Sequence, residues 1–329
     1  MTATLDKVDI PDRDRAIRDL WATGSPKPLV FLMGLHRSGT TVLYQYLSRV
    51  LPLASVTVQD VVFYPRLVYS HTQDRGRADR ALLVDYFEAH GMWQRALDDI
   101  ALGPETVEEY GWILKREAGS FALGERTVDA FRELRLKLSY LRADAEALLL
   151  KNPWDTAHAH EIASTFPEAR FVFLRRDPIE ILSSEVRNAM SFSAEKNALV
   201  QILTRRMPQV RLYLGLARVG HRILGDERSE RLLVRWFLKD IMNKLAAYRA
   251  AMERVPAERS VHVSYRELVD DTPRTLERLS SFLGLTMSAV AGDLQARRRP
   301  GGLLASLASS TEVLSEELRR SGCGWAMDA

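Results

Sequence analysis

Short apolar runs, set apart by stretches in which apolar residues recur every three or four positions, dominate the chain. Leu29–Met33, Ala147–Lys151, Arg170–Leu174 and Val261–Ser264 are too short for helices and too continuously apolar to face water on one side. They predict buried strands of a parallel sheet joined by helical crossovers. Ser55–Val58 is a candidate for one more strand. Val128, Phe131, Leu134, Leu138, Leu141, Ala145 and Leu148 are spaced by three and four, so Thr127 to about Leu148 should form an amphipathic helix that runs into the next strand. Residues 194–255 predict two long helices, broken near Gly220–Arg228, whose charged outer faces suit a cover over the sheet. The stretch at about 64–124 interposes helical pieces carrying His71, His90, Trp93, Tyr110 and Trp112, and its position between two sheet strands suits a helical lid over a substrate. No internal repeat or long low-complexity tract interrupts this pattern, which predicts an α/β fold: a parallel sheet flanked by helices, with a lid.

Composition narrows the picture only where it excludes something. With 329 residues and 46% hydrophobic content the chain can bury a large core, and no linker divides it, so residues 1–329 are expected to form one domain. A net charge of +3 and an isoelectric point near 9.0 suit an anionic cosubstrate but do not amount to a nucleic-acid surface, and no nucleic-acid partner is expected. Cys323 is the only cysteine, which excludes an intramolecular disulfide and fits a reducing compartment. The first residues lack the basic start and apolar stretch of a secretory signal, and no window is long and apolar enough to span a bilayer. The expectation is a soluble cytoplasmic protein, and oligomeric state is left open.

The chemistry concentrates where the first strand ends. Met33 to Thr41 reads Met-Gly-Leu-His-Arg-Ser-Gly-Thr-Thr and leads into the helical Val42–Leu47, giving a strand, a glycine-containing turn and a helix start. A helix N-terminus leaves N–H groups unpaired and carries partial positive charge, so such a turn wraps an anion. The spacing Gly34-x-x-x-x-Gly39-Thr40-Thr41 copies the nucleotide P-loop except that Thr40 replaces its lysine, and a cation appears inside the loop at Arg37. Without that lysine a kinase or ATPase loses its main contact to a transferring γ-phosphate.

At these residues the chain resembles the sulfotransferases that use 3′-phosphoadenosine 5′-phosphosulfate (PAPS), in particular the bacterial branch with a Gly-x-x-Arg-Ser-Gly-Thr-Thr loop, here Gly34 to Thr41. The resemblance implies a P-loop-like sheet and assigns the 5′-phosphosulfate to Arg37, Ser38, Gly39, Thr40 and Thr41. It extends to the apolar run ending Arg175-Arg176-Asp177-Pro178 with Ser184 following, which implies that Arg176 and Ser184 hold the 3′-phosphate. A phosphomonoester wants such a fork of guanidinium donors and a hydroxyl. Leu148-Leu-Leu-Lys151-Asn-Pro153 is similar to the family strand whose lysine stabilises charge on the bridging oxygen. Tyr265, followed by Arg266-Glu267-Leu268 and later Phe282-Leu-Gly284, is similar to the family's adenine-side tyrosine, although the family's acidic pair is altered to Arg266-Glu267. The basic loop Arg297–Gly302, with Arg298 and Arg299, loosely resembles the segment that closes over the 3′-phosphate.

The general base is the gap in the resemblance. Many family members carry a histidine two residues beyond the strand-end lysine, where this chain has Pro153. Another branch uses a glutamate well beyond the Thr-Thr pair, and Asp60 stands at about the corresponding place. A carboxylate at a strand exit among apolar neighbours would be shifted toward neutral pH, which makes Asp60 the leading base. A helix cap is the competing role for Asp60. His158, His160 and His36 are the alternatives; His158 and His160, two positions apart on a helix, cannot both face the site. Only His158-x-His160 brings ligand types close together, so no metal is expected. The expected function is transfer of a sulfuryl group from PAPS to a hydroxyl of a small-molecule or lipid-like acceptor, with 3′-phosphoadenosine 5′-phosphate (PAP) as product. A P-loop kinase acting on a small molecule and a non-catalytic nucleotide-binding protein are the alternatives.

Overall fold

Five strands form one all-parallel sheet in the computed structural model, which describes residues 5, 9–92, 102–194, 198–288, 296, 304, 307 and 311–327. The strands are β1 (Leu29–Met33), β2 (Leu53–Ser55), β3 (Ala147–Lys151), β4 (Arg170–Arg175) and β5 (Ser260–Ser264), in the order β2-β3-β1-β4-β5. Every residue of β1 and β3 is buried, as a sheet covered on both faces requires. Leu32 pairs with Lys151 across β1 and β3, and Met33 with Phe173 across β1 and β4. The three central strands therefore end side by side, and the segments leaving β1, β3 and β4 share one edge of the sheet.

The helices are α1 (Thr40–Val50), α2 (Val58–Phe63), α3 (Leu67–Thr72), α4 (Gly76–Ala89), α5 (Gly111–Ala118), α6 (Val128–Leu141), α7 (Ala159–Thr165), α8 (Pro178–Ala194), α9 (Ala198–Leu203), α10 (Pro208–Leu224), α11 (Asp226–Glu253), α12 (Tyr265–Asp270), α13 (Thr272–Leu283) and α14 (Thr311–Arg320). Two apolar layers sandwich the sheet. On one face Phe31, Phe171 and Phe173 of alternate strand positions stack with Phe131, and on the other Val30, Leu32, Val172 and Leu174 pack against Leu43 and Leu47 of α1. Tyr44 ties α1 to the sheet: its hydroxyl donates to the Leu149 carbonyl at 3.1 Å and accepts from the Val56 N–H at 3.1 Å.

β4 runs one residue longer than expected, to Arg175, and β5 starts one residue earlier, at Ser260; three further boundaries are set by local interactions. The strand expected at Ser55–Val58 stops at Ser55, because Thr57 caps α2 through its side chain. The helix expected to reach Leu148 ends at Leu141; Lys27 Nζ then gathers the carbonyls of Ala143 and Ala145, freeing the chain to enter β3. The break expected near Gly220–Arg228 is a single residue, Gly225, at φ 74° between α10 and α11. Cys323 is sealed at 1% exposure, its thiol 3.6 Å from the Met242 carbonyl of α11. No helix of the described residues is long and apolar enough to cross a membrane.

Candidate active site

The turn after β1 is held tightly from both sides. Gly34 donates its N–H to Thr156 Oγ1 at 3.1 Å and accepts from the same hydroxyl at 2.8 Å. A Cβ at Gly34 would stand 2.7 Å from Thr40 Cγ2, and one at Gly39 would stand 2.5 Å from the Tyr265 ring. Gly39 takes φ 94°, and Arg37 takes φ 64°, a left-handed conformation unusual for a side chain of its size. α1 then starts at Thr40 with no side-chain cap, so the positive end of its dipole and its first N–H groups are left to an anion.

Arg176 reaches this turn directly. Its Nη1 donates to the Arg37 carbonyl at 3.1 Å, its Nε to Glu180 at 2.8 Å, and its guanidinium lies 4.3 Å from the centre of the Tyr265 ring. Arg37 in turn donates from Nε to Ser184 Oγ at 3.0 Å. Asp177 and Pro178 start α8: Asp177 Oδ1 accepts from the Ile179 N–H at 2.7 Å, and Pro178 occupies the first helical position. The altered pair after Tyr265 keeps a working cap. Glu267 completes a capping box with Ser264, while Arg266 turns outward toward Asp270.

Lys151, 3% exposed, closes the third side. Its Nζ donates to Thr41 Oγ1 at 3.0 Å and to Glu109 Oε1 at 2.9 Å. Glu109 precedes α5, and its neighbour Tyr110 donates to the buried Asp155. Asp155 also accepts from the Leu123 N–H at 2.6 Å and Asn152 Nδ2 at 2.8 Å, which ties the segment around α5 to the end of β3; burial pushes its carboxyl up to about 6. Beside Glu109 four half-buried rings form a wall: Phe121 stacks on Trp154 at 4.3 Å, Trp112 stands edge-on to Phe121 at 5.1 Å, and His36 stands edge-on to Trp154 at 4.7 Å. Burial lowers the His36 imidazole to about 4, against the pull of Glu109, so it is neutral at physiological pH.

Of the residues singled out in the sequence, Arg37 to Thr41, Lys151, Arg176, Ser184 and Tyr265 thus converge at one sheet edge. Of the expected bases only His36, inside the turn, joins them; Asp60, His158 and His160 do not. Asp60 is the third residue of α2 and spends its carboxylate on the cap, accepting from the Thr57 N–H at 2.9 Å and from Arg142 Nη2 at 3.2 Å. It borders a cavity of about 380 Å³ that neither Lys151 nor Arg37 lines. His158 ends a short 3₁₀ turn, half-exposed and 3.1 Å from Glu161, and His160 lies 3.5 Å from Arg254. Arg298, Arg299 and Trp93 lie outside the described residues. No group of three or more His, Cys, Asp or Glu among the described residues could hold a metal ion.

Two carboxylates that sequence reasoning passed over adjoin these residues. Glu109 meets Lys151 although forty-two positions separate them, a pairing that no local spacing signals. Glu185 directly follows Ser184 on α8; burial pushes its carboxyl up to about 7, against the pull of Lys244 and Arg37.

The fold is shared with solved bacterial enzymes. The sulfotransferase STF1 of Mycobacterium tuberculosis H37Rv superposes with a TM-score of 0.58 at 16% identity, over 92% of this chain and 79% of that one. The sulfotransferase STF9 of Mycobacterium avium gives a TM-score of 0.52 at 14% identity, over 93% and 79% of the two chains. No curated protein matches in sequence. Residues 28–289, spanning all five strands and every convergent side chain described above, match the model of the sulfotransferase family, and the chain belongs to that family.

Proposed function

We propose that the protein moves a sulfuryl group from PAPS to the hydroxyl of a small-molecule or lipid-like acceptor. One observation carries this reading: the two anion-binding elements are physically one, since Arg37 donates to Ser184 while Arg176 donates to the Arg37 carbonyl. A donor with a phosphate on each side of its ribose fits this set, which offers two guanidinium groups, hydroxyls and an uncapped helix start. PAPS supplies an activated sulfuryl group when bound and leaves as PAP. In this reading Arg37, Ser38, Gly39, Thr40 and Thr41 hold its 5′ end, Arg176 and Ser184 its 3′-phosphate, and Tyr265 flanks the adenine side.

Glu109 replaces Asp60 as the proposed general base. It is the carboxylate beside Lys151, and an acceptor hydroxyl placed between the aromatic wall and the turn would have Glu109 within reach of its proton. Lys151 supplies a buried positive charge where negative charge builds on the departing group. The helical stretch at about 64–124 is then the lid, contributing Glu109, Trp112 and Phe121 to the acceptor side, and the half-buried rings favour an acceptor with apolar surface. Thr40 at the place of the P-loop lysine speaks against phosphoryl transfer, as does the family.

Calorimetric titration with PAP, ATP and ADP tests the assignment. Submillimolar binding of PAP with none of ATP is the expected result; the reverse order overturns it in favour of a kinase. Donor breakdown abolished by Arg37→Ala separates an enzyme from a binding protein.

A further inference from the structure

Helix α10 is left outside the core. None of its residues is buried. Even so, Leu212, Leu216, Val219 and Ile223 recur at spacings of four, three and four and are 65, 63, 52 and 77% exposed. Such a stripe costs free energy in water unless something covers it. The charged side chains of α10 are Arg211, Arg218 and Arg222, and the helix contains no Asp or Glu. Winding at 3.6 residues per turn sets these three arginines in a row along one edge of the stripe. None of them forms an ion pair among the described residues; Arg211 and Arg222 are exposed, while Arg218 is half-buried with its Nε enclosed. α10 packs against α8, the helix that carries Ser184.

We propose that α10 is an interfacial anchor that lies flat on an anionic lipid bilayer, with its leucine and isoleucine side chains in the headgroup boundary and its arginine row on the lipid phosphates. Charge selects this occupant. A second copy of α10 would offer the arginine row no carboxylate, whereas an anionic headgroup layer satisfies the apolar stripe and the cationic edge together. A basic, apolar-striped helix without acidic residues is the composition of surface-lying membrane helices. Docked in this way, the protein would hold α8, and with it the Ser184 side of the proposed donor site, a short distance from the lipid surface.

Sedimentation of the full-length protein with vesicles tests this without relying on activity. Vesicles of equal parts phosphatidylglycerol and phosphatidylcholine should retain the protein and release it at high salt, while pure phosphatidylcholine should retain little. The pair Leu216→Gln and Ile223→Gln should weaken partitioning by about tenfold or more, as should the double replacement of Arg211 and Arg222 by Gln. Far-UV circular dichroism and PAP affinity should be unchanged in both, because Leu216, Ile223, Arg211 and Arg222 already face water. No retention on phosphatidylglycerol vesicles overturns the proposal. So does a dimer in sedimentation velocity that the Leu216→Gln and Ile223→Gln pair disperses, which would give the stripe to a second copy of the chain.

Discussion

Glu109 and Asp60 carry the same functional group and spend it differently. Asp60 faces its own helix terminus, where a carboxylate saturates an N–H that would otherwise lack a partner, and Arg142 neutralises it. Glu109 faces a buried ammonium on the rim of the turn. Replacing each by its amide should separate the two roles. Glu109→Gln should lower kcat by about two to four orders of magnitude with PAP affinity nearly unchanged. Asp60→Asn should cost about 1 kcal/mol of stability in denaturant titration and leave kcat close to wild type. A full loss of turnover in Asp60→Asn with normal folding would return the base to that residue. Glu185 adds a pH dependence. Its carboxyl, raised by burial from 4.5 to about 7, is neutral below that pH and charged above it, so its contribution to stability is complete at low pH and lost as pH rises through 7. The charged form also stands near Arg37, which a polyanion needs. Glu185 should therefore weaken PAP binding as pH rises from 6 to 8, against the strengthening that the phosphates' own second ionisation brings, and Glu185→Gln should leave only that strengthening; a profile unchanged by the substitution would remove Glu185 from the site.

At the scale of elements, what the sequence reveals is what local physics controls. Continuous apolar runs fixed β1 and β3 to the residue, because a strand buried on both faces tolerates little else. The start of α8 was readable in Asp177-Pro178, and the turn after β1 in its glycines, since both depend on backbone conformations that few residues serve. The proposed base, Glu109, was not readable. Its partner Lys151 comes from another element, and a pairing across the sheet edge leaves no periodicity in the chain. Asp60 has two readings for a related reason, since the same Thr-x-x-Asp spacing that caps α2 also places a carboxylate at a strand exit. The turn itself makes a sharper prediction. Gly39→Ala must place a methyl group against the Tyr265 ring while holding φ 94°, and should destabilise the chain by about 1–3 kcal/mol and weaken PAP binding together. A Gly39→Ala cost in stability that is much smaller in a Tyr265→Ala background than in the wild type would identify the ring contact, rather than backbone strain, as the larger part.

At the scale of the whole molecule, the strand order explains how segments remote in sequence meet. β1 lies between β3 and β4, so Lys151, the turn at 34–39 and Arg176 leave three adjacent parallel strands at the same end. Ligands of parallel sheets gather at such edges because the loops there converge while helices cover both faces. Nothing in the amino-acid order states which strands are neighbours; that choice follows from burying two apolar faces at once, and it is the step at which scattered motifs become one site.

Cys323 gives the molecule a timepiece of its own. A lone sulfhydryl enclosed beneath α11 meets an alkylating reagent only when the carboxyl-terminal segment lifts away, so its labelling rate in native buffer records how often that corner opens. The proposed PAP site is remote from it in sequence, but Trp325 and Ala326 line a small cavity together with Ser38 and Arg176. If the terminal segment breathes independently, saturating PAP should leave the rate untouched; if the corner opens only when everything unfolds, each tenfold excess of ligand over its Kd should slow labelling about tenfold.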